Sequence, residues 1–298
     1  MSETSKFMTL EDGLKLHYRE EGNPDGQAVL LVHGFAASVH TWEPLVEDLK
    51  SDYRLISLDL PGHGLSRAPY DATTTGMPVF EAALTEFVDR LSLENFVLVG
   101  SSMGGDLSWR YALDNPLKLD GLVLVGAAGW AMTEEEAEDQ SFVFQLLGNP
   151  IARRLLRDID TSGLMRSGLE SSFFNADFVT DEMVDRYISL SRAPGHRAGL
   201  MAILSEERSP ATFTALARMR VPTLILHGEF DNLVPVSSGK KFADAIPNAQ
   251  LVIYEETGHL PHEERTDMFA EHMRTFITDL GVARDREVSA SLAAGLQP

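Results

Sequence analysis

The chain has 298 residues, of which 44% are hydrophobic and 23% charged; this ordinary globular composition excludes a disordered or fibrous protein. Its 45 acidic and 25 basic residues give a formal net charge of −20, which repels nucleic-acid phosphates, so nucleic acid is not an expected partner. The absence of cysteine excludes disulfides and thiolate metal sites.

The chain gives no sign of a targeting or membrane-spanning segment. It begins MSETSKFMTLEDG, which carries charges and no apolar stretch. No later stretch approaches the ~18 uninterrupted apolar residues that a membrane helix needs. We therefore expect no membrane span and a cytoplasmic location.

Predicted strands and helices alternate along the first half of the chain. FMTL and LKLHYRE flank the turn at 11–13 and predict two antiparallel edge strands. Between the apolar runs at 54–59 and 96–100, apolar residues from Phe80 to Leu91 recur at helical spacing, with Pro78 near the start of the predicted helix. Continuous apolar runs, typical of strands buried on both faces of a parallel sheet, lie at 28–34, 54–59, 96–100 and 122–126. The alternation predicts an α/β fold with a mostly parallel, doubly wound sheet.

The strand pattern stops after Gly129 and resumes only at VPTLILHG, 221–228. The roughly ninety residues between are too many for a plain loop. They contain helix-like segments around 142–156, 179–190 and 198–207, which predict a helical cap inserted at 130–217. The strand QLVIYEE and an amphipathic helix ending near Leu280 then complete a core of 1–129 and 218–285. We expect 286–298 to be a weakly ordered tail.

A serine motif lies between a predicted strand and a predicted helix. Gly100-Ser101-Ser102-Met103-Gly104 matches G-x-S-x-G, and the flanking glycines permit the sharp turn that exposes a nucleophilic serine. A serine hydroxyl needs a base to take its proton, so this interpretation requires a histidine and an acid later in the chain. The alternative is a glycine-rich strand-to-helix connection in which Ser102 merely caps the helix.

The two partners are expected in loops that follow late strands. Asp231, just after the strand TLILHG, is the favoured acid, and Glu229 in the same loop is the alternative. His259, after the last strand, is the favoured base because Gly258 permits a sharp turn before it; His262 is the alternative. No H-E-x-x-H or comparable ligand spacing occurs, so neither a metal nor a cofactor is expected.

With the chain order Ser102, Asp231, His259 and a cap between nucleophile and acid, the chain resembles members of the α/β-hydrolase fold over residues ~7 to ~280. His33-Gly34-Phe35 and the run Asp59 to Ser66 match two further motifs of that family. The resemblance implies that the backbone N–H groups of Phe35 and Met103 form an oxyanion hole and that His33 braces the nearby loop.

The resemblance also implies a reaction class. Serine at the elbow argues against haloalkane dehalogenases and epoxide hydrolases, which use aspartate there, and favours a serine esterase. Cap side chains such as Met165, Phe173 and Phe174 lead us to expect a carboxylesterase for small to medium apolar esters.

Two alternatives stay open: a carbon–carbon bond hydrolase of the meta-cleavage-product type and a ligand-binding receptor on the same scaffold. Against the first, Leu260 replaces the usual tryptophan, and 35–38 lacks the usual glycine and proline. The sequence does not predict the oligomeric state.

Overall fold

A computed structural model describes residues 4–138, 146, 149 and 162–295. The strands in these residues are β1 Ser5–Thr9, β2 Lys15–Gly22, β3 Ala28–Val32, β4 Arg54–Leu58, β5 Phe96–Ser101, β6 Leu119–Val125, β7 Thr223–Gly228 and β8 Gln250–Tyr254. The α-helices in these residues are α1 Glu43–Leu49, α2 Met77–Arg90, α3 Met103–Asp114, α4 Glu134–Glu138, α5 Ser162–Glu170, α6 Asp181–Ser191, α7 His196–Ile203, α8 Phe213–Leu216, α9 Val236–Ala245, α10 Pro261–Glu264 and α11 Thr266–Gly295.

The strands form one sheet in the order β1-β2-β4-β3-β5-β6-β7-β8. β1, β2 and β4 pair antiparallel, and every pair from β4 to β8 is parallel. The predicted α/β class with a mostly parallel sheet is confirmed. The prediction that both N-terminal strands are edges was wrong for β2, which lies between β1 and β4. Each neighbour covers only part of β2, since β1 pairs with residues 15–19 and β4 with residues 18–22. Most of β2 is therefore paired on one side only, which is why its sequence resembles that of an edge strand.

Side chains alternate between two cores, one on each face of the sheet. In β3, Leu30 and Val32 pack in a cluster with α2 and α3, whereas Val29 and Leu31 pack in a cluster with α1 and α11. All four side chains are fully buried, and each such side chain stabilises the fold by about 1.5–3 kcal/mol. Burial on both faces explains why these strands are continuous apolar runs.

The C-terminal helix is longer than predicted. α11 runs to Gly295, past the expected end near Leu280. A single glycine such as Gly281 destabilises a helix by about 1 kcal/mol relative to alanine. This cost is too small to end the helix here, because the residues that follow include the strong helix formers alanine, arginine and glutamate. The weak order expected of 286–298 stays a prediction.

Between β6 and β7 the described residues contain helices α4 to α8 and no strand. α6 and α7 match the predicted segments at 179–190 and 198–207, while the segment at 142–156 lies outside the described residues apart from positions 146 and 149. Part of this region has a small core of its own, formed by Leu169, Phe173, Val179 and Val184. In the part of the chain that the structure describes, no helix is long and apolar enough to cross a membrane.

Candidate active site

Ser102 lies on a sharp turn between β5 and α3. Its backbone has φ 54° and ψ −117°, a strained conformation for a residue with a side chain. A Cβ on Gly100 would lie 2.3 Å from the Gly104 carbonyl oxygen, and one on Gly104 would lie 2.4 Å from the Val32 carbonyl oxygen. The turn is held where the Ser102 N–H donates to the Val125 carbonyl at 2.9 Å. The tight packing of strand against helix therefore requires glycine at both motif positions.

Asp231 and His259 meet, although they follow different strands. His259 Nδ1 lies 2.7 Å from Asp231 Oδ2, and both side chains are almost completely buried. The other oxygen, Oδ1, accepts the backbone N–H groups of Leu233 at 2.9 Å and Val234 at 2.8 Å. These two donors fix the carboxylate plane, and Asp231 in turn fixes the imidazole through Nδ1.

The environment of Asp231 keeps its carboxyl ionised. Burial by itself would raise the pKa of Asp231, but the charge of His259 and the hydrogen bonds from His227 and His259 outweigh burial and hold the pKa well below its ordinary value. An ionised carboxylate can hold the imidazole with its proton on Nδ1, leaving Nε2 free to accept a proton.

Sequence reasoning missed His227, which lies directly behind this pair. The ring is fully buried near the end of β7, and its Nε2 lies 2.9 Å from the Val234 carbonyl oxygen and 3.3 Å from Asp231 Oδ2. A proton on His227 Nε2 can be donated to the Val234 carbonyl oxygen or to Asp231 Oδ2. The available signal was a histidine at the end of a buried strand, just before the expected acid.

The two alternative residues lie elsewhere. Glu229 is exposed, and the hydrogen bonds and ion pairs of the described residues include none between its side chain and His259. His262 is fully buried, with its ring 4.3 Å from that of Trp42 and its Nε2 2.9 Å from Thr41 Oγ1. Burial lowers the pKa of His262 to about 3, so it stays neutral. The structure thus pairs Asp231 with His259. Neither the alternative acid, Glu229, nor the alternative base, His262, takes part in this pair.

Gly258 has a different role from the one expected. It does not adopt a positive φ, so it is not needed for a left-handed turn. Instead, a Cβ at Gly258 would lie 2.7 Å from both the Phe174 nitrogen and the Ser172 carbonyl oxygen. Glycine is required here because backbone from the predicted cap approaches the histidine loop directly.

A cavity of about 350 Å³ is lined by both Ser102 and His259. The described hydrogen bonds include none between Ser102 Oγ and the imidazole. Phe35 and Met103 also line this cavity, and neither of their backbone N–H groups donates a hydrogen bond within the described residues. Met103 is the first residue of α3, where an N–H has no intrahelical acceptor. The cavity therefore contains a serine, an imidazole and two available backbone donors.

The remaining cavity wall is mostly apolar. Met165 faces it as expected, but Phe173 packs inside the small helical core and Phe174 packs against Phe230 with ring centroids 4.9 Å apart. Aliphatic and thioether side chains make up most of this wall, together with the aromatic ring of Tyr187. The apolar lining includes Met132, Leu164, Met165, Leu169, Leu200, Met201, Ile203, Leu204, Leu233, Val234 and Leu260.

Two arginines also line the cavity, Arg197 and Arg208. The Arg208 guanidinium lies 3.1 Å from an Asp106 carboxylate oxygen and 3.8 Å from one of Glu206. Arg197 likewise has an interaction partner. Asp106 is shared with Arg110, whose Nε lies 2.8 Å from the same carboxylate. Because Arg208 lies next to two carboxylates, part of its positive charge is already balanced within the protein.

His33 and Asp59 brace the loop that carries Phe35. Within this loop, His33 Nδ1 donates to the Gly34 carbonyl at 2.7 Å, and Nε2 accepts the Leu60 N–H at 3.0 Å. Asp59 is fully buried and accepts the Val39 N–H at 2.8 Å. These contacts agree with a bracing role for His33 and leave neither residue facing the cavity.

Known proteins resemble this chain over nearly its whole length. The family model described as alpha/beta hydrolase fold matches residues 27–266. The 2-hydroxy-6-oxononadienedioate/2-hydroxy-6-oxononatrienedioate hydrolase of Comamonas testosteroni is 29% identical over 284 residues, 90% of this chain and 94% of the relative. Among solved structures, the meta-cleavage product hydrolase from Pseudomonas fluorescens has a TM-score of 0.79 at 25% identity, covering 92% of this chain and 97% of its own. An esterase from Exiguobacterium antarcticum has a TM-score of 0.76 at 25% identity, covering 92% and 99%.

Proposed function

The chain belongs to the alpha/beta hydrolase fold family and is a serine hydrolase, and on this basis we propose that it is a carboxylesterase for small to medium apolar esters. The observation that carries the proposal is the apolar cavity of about 350 Å³ lined by Ser102 and His259. Such a volume is at the low end for small-molecule sites, which suits a compact ester rather than a long triglyceride. In this proposal, residues 130–217 form the cap over the cavity.

The proposed mechanism proceeds through an acyl-enzyme. Ser102 Oγ attacks the ester carbonyl carbon while His259 Nε2 takes the hydroxyl proton and then gives it to the leaving oxygen, which departs as the alcohol. Asp231 holds the imidazole at 2.7 Å and stabilises its protonated form. The N–H groups of Phe35 and Met103 stabilise the oxyanion. Water, deprotonated by His259, then releases the acid, and the proton returns to Ser102.

A carbon–carbon bond hydrolase is the second candidate. The observation that favours it is the similarity over 90% of this chain to a hydrolase whose name specifies a dienedioate. A carboxylate substrate is best bound by a cation with charge to spare. Arg208 already pairs with Asp106 and Glu206, and the wall around it is largely apolar, which supports a neutral ester instead.

One panel of substrates separates these candidates. Purified protein and the Ser102→Ala variant are assayed with p-nitrophenyl acetate, butyrate and octanoate, with emulsified triolein, and with a 2-hydroxy-6-oxohexa-2,4-dienoate. We expect turnover of the p-nitrophenyl esters by the unmodified protein alone. Faster cleavage of the dienoate than of any ester would replace the proposal with the carbon–carbon hydrolase. If no substrate were turned over faster than by Ser102→Ala, the ligand-binding alternative would be favoured.

A further inference from the structure

Glu264 links two segments that are far apart in the chain. It is the last residue of α10, and it is buried. Its Oε1 accepts the Gly258 N–H at 2.7 Å, and its Oε2 accepts the Phe174 N–H at 2.9 Å. The first donor directly precedes His259, and the second belongs to the short segment 172–174 that follows α5. One carboxylate thus bridges the histidine loop and the proposed cap.

A second contact joins the same two segments without Glu264. The His259 N–H donates to the Ser172 carbonyl at 2.7 Å. As described above, the backbones approach so closely that Gly258 has no room for a Cβ. The histidine loop and segment 172–174 therefore pack as one unit, with the Glu264 carboxylate on one side of the contact.

Glu264 does not line the cavity that contains Ser102. It can affect chemistry there only through the backbone that it holds. Asp231 fixes the His259 ring at Nδ1, but the position of the ring also depends on where its backbone lies. Without the Glu264 carboxylate, the Gly258 and Phe174 N–H groups lose their acceptor, and regaining one in water requires the two segments to separate.

We propose that Glu264 is a positioning residue, which holds the His259 loop against segment 172–174 and thereby places the imidazole for proton transfer with Ser102. The inference rests on the proposed function of His259. It also makes the placement of the imidazole dependent on the cap, because the second hydrogen bond of Glu264 comes from Phe174.

The first measurement is kcat and KM for p-nitrophenyl butyrate in Glu264→Ala, Glu264→Gln and the control Glu256→Gln. Displacing a catalytic group by about 1 Å costs on the order of 100-fold, so we expect that loss in kcat for Glu264→Ala, with KM within about threefold. Glutamine keeps one acceptor oxygen, so Glu264→Gln is expected to lose about tenfold. Glu256 lies in the same loop with a side chain 73% exposed, and its replacement should leave kcat unchanged.

The second measurement repeats the change in a His259→Ala background. Residual activity there is low but measurable with an activated ester at high enzyme concentration. A residue that acts through His259 has nothing left to position, so Glu264→Ala should then change the rate by no more than about twofold. Circular dichroism and thermal unfolding establish that each variant is folded. If Glu264→Ala does not fold, Glu264→Gln takes its place in the comparison.

Each of four outcomes supports or overturns the proposal. An equal loss in both backgrounds, or an unchanged kcat in the folded single variant, would show that Glu264 only supports the fold and would overturn the positioning role while leaving the proposed function intact. Near-normal activity of His259→Ala would overturn the proposed function itself, and the positioning role with it. A loss in kcat that disappears without His259 supports the inference.

Discussion

The replacement Asp231→Asn tests the proposed role of the acid through the direction of one hydrogen bond. Two backbone N–H groups, those of Leu233 and Val234, hold Oδ1 at 2.9 and 2.8 Å, so the amide oxygen of asparagine must stay there. The amide nitrogen then takes the place of Oδ2, 2.7 Å from His259 Nδ1. An amide nitrogen only donates, so Nδ1 must become the acceptor and the ring proton moves to Nε2.

The expected loss follows from that tautomer. A proton on Nε2 blocks the atom that has to accept the Ser102 proton, and the same substitution in a serine protease triad lowers kcat about 10⁴-fold. This corresponds to about 5 kcal/mol of activation free energy. The new amide also faces His227 Nε2, 3.3 Å from Oδ2, which already donates to a carbonyl. Two donors that face each other should cost a further 1–3 kcal/mol, roughly, in the free energy of unfolding.

The assay is kcat for p-nitrophenyl butyrate at neutral pH, with circular dichroism to show that the fold is kept. Glu229→Gln is the matched control, since Glu229 is exposed in the same loop. It should retain full activity. If Asp231→Asn stayed within about tenfold of the unmodified protein, the tautomer argument would fail. If Glu229→Gln lost activity instead, Glu229 would be the acid.

Three further predictions concern the nucleophile, the cavity and acid stability. Ser102→Ala should lower kcat by about 10⁴-fold or more without unfolding the chain. Leu200→Trp fills part of the cavity wall and should lower the octanoate-to-acetate ratio of kcat/KM by about tenfold. Burial lowers the pKa of His63 and of His262 to about 3, so each histidine lowers the free energy of unfolding once the pH falls below the ordinary histidine pKa of about 6.5. Burial raises the pKa of Glu263 to about 7, so this carboxyl raises the free energy of unfolding as the pH falls over the same range. Among these three groups two histidines outweigh one carboxyl, so between pH 6.5 and 4.5 they should together lower the free energy of unfolding by about 1 kcal/mol per pH unit.

Each of these has a measurement that could contradict it. Residual hydrolysis by Ser102→Ala at near-normal rate would exclude Ser102 as the nucleophile. An unchanged acyl-length profile in folded Leu200→Trp would mean that the cavity does not bind the acyl chain. For acid stability, urea unfolding is followed against pH in the unmodified protein and in His63→Asn. The slope should flatten in the variant, and an identical slope would rule out His63 desolvation as a cause.

Periodicity and local motifs predicted most of the fold. Strands buried on both faces, such as β3 and β5, have continuous apolar sequences because each side chain meets one of two cores. The turn at Ser102 was also visible in the sequence, since the glycines on either side are the only residues that fit between strand and helix. Each of these patterns lies in residues that are close together in the sequence, so it can be identified without the tertiary structure.

What the sequence could not decide depends on contacts between distant segments. Glu229 and Asp231 were both plausible acids, and the loops after β7 and β8 had to be placed beside each other before Asp231 could be paired with His259. Gly258 was interpreted as a turn residue, but its need for glycine comes from the approach of segment 172–174. Likewise, Glu264 and Phe174 are 90 residues apart. A hydrogen bond across such a separation leaves no periodic or spacing signal, because only the folded backbone brings its donor and acceptor together.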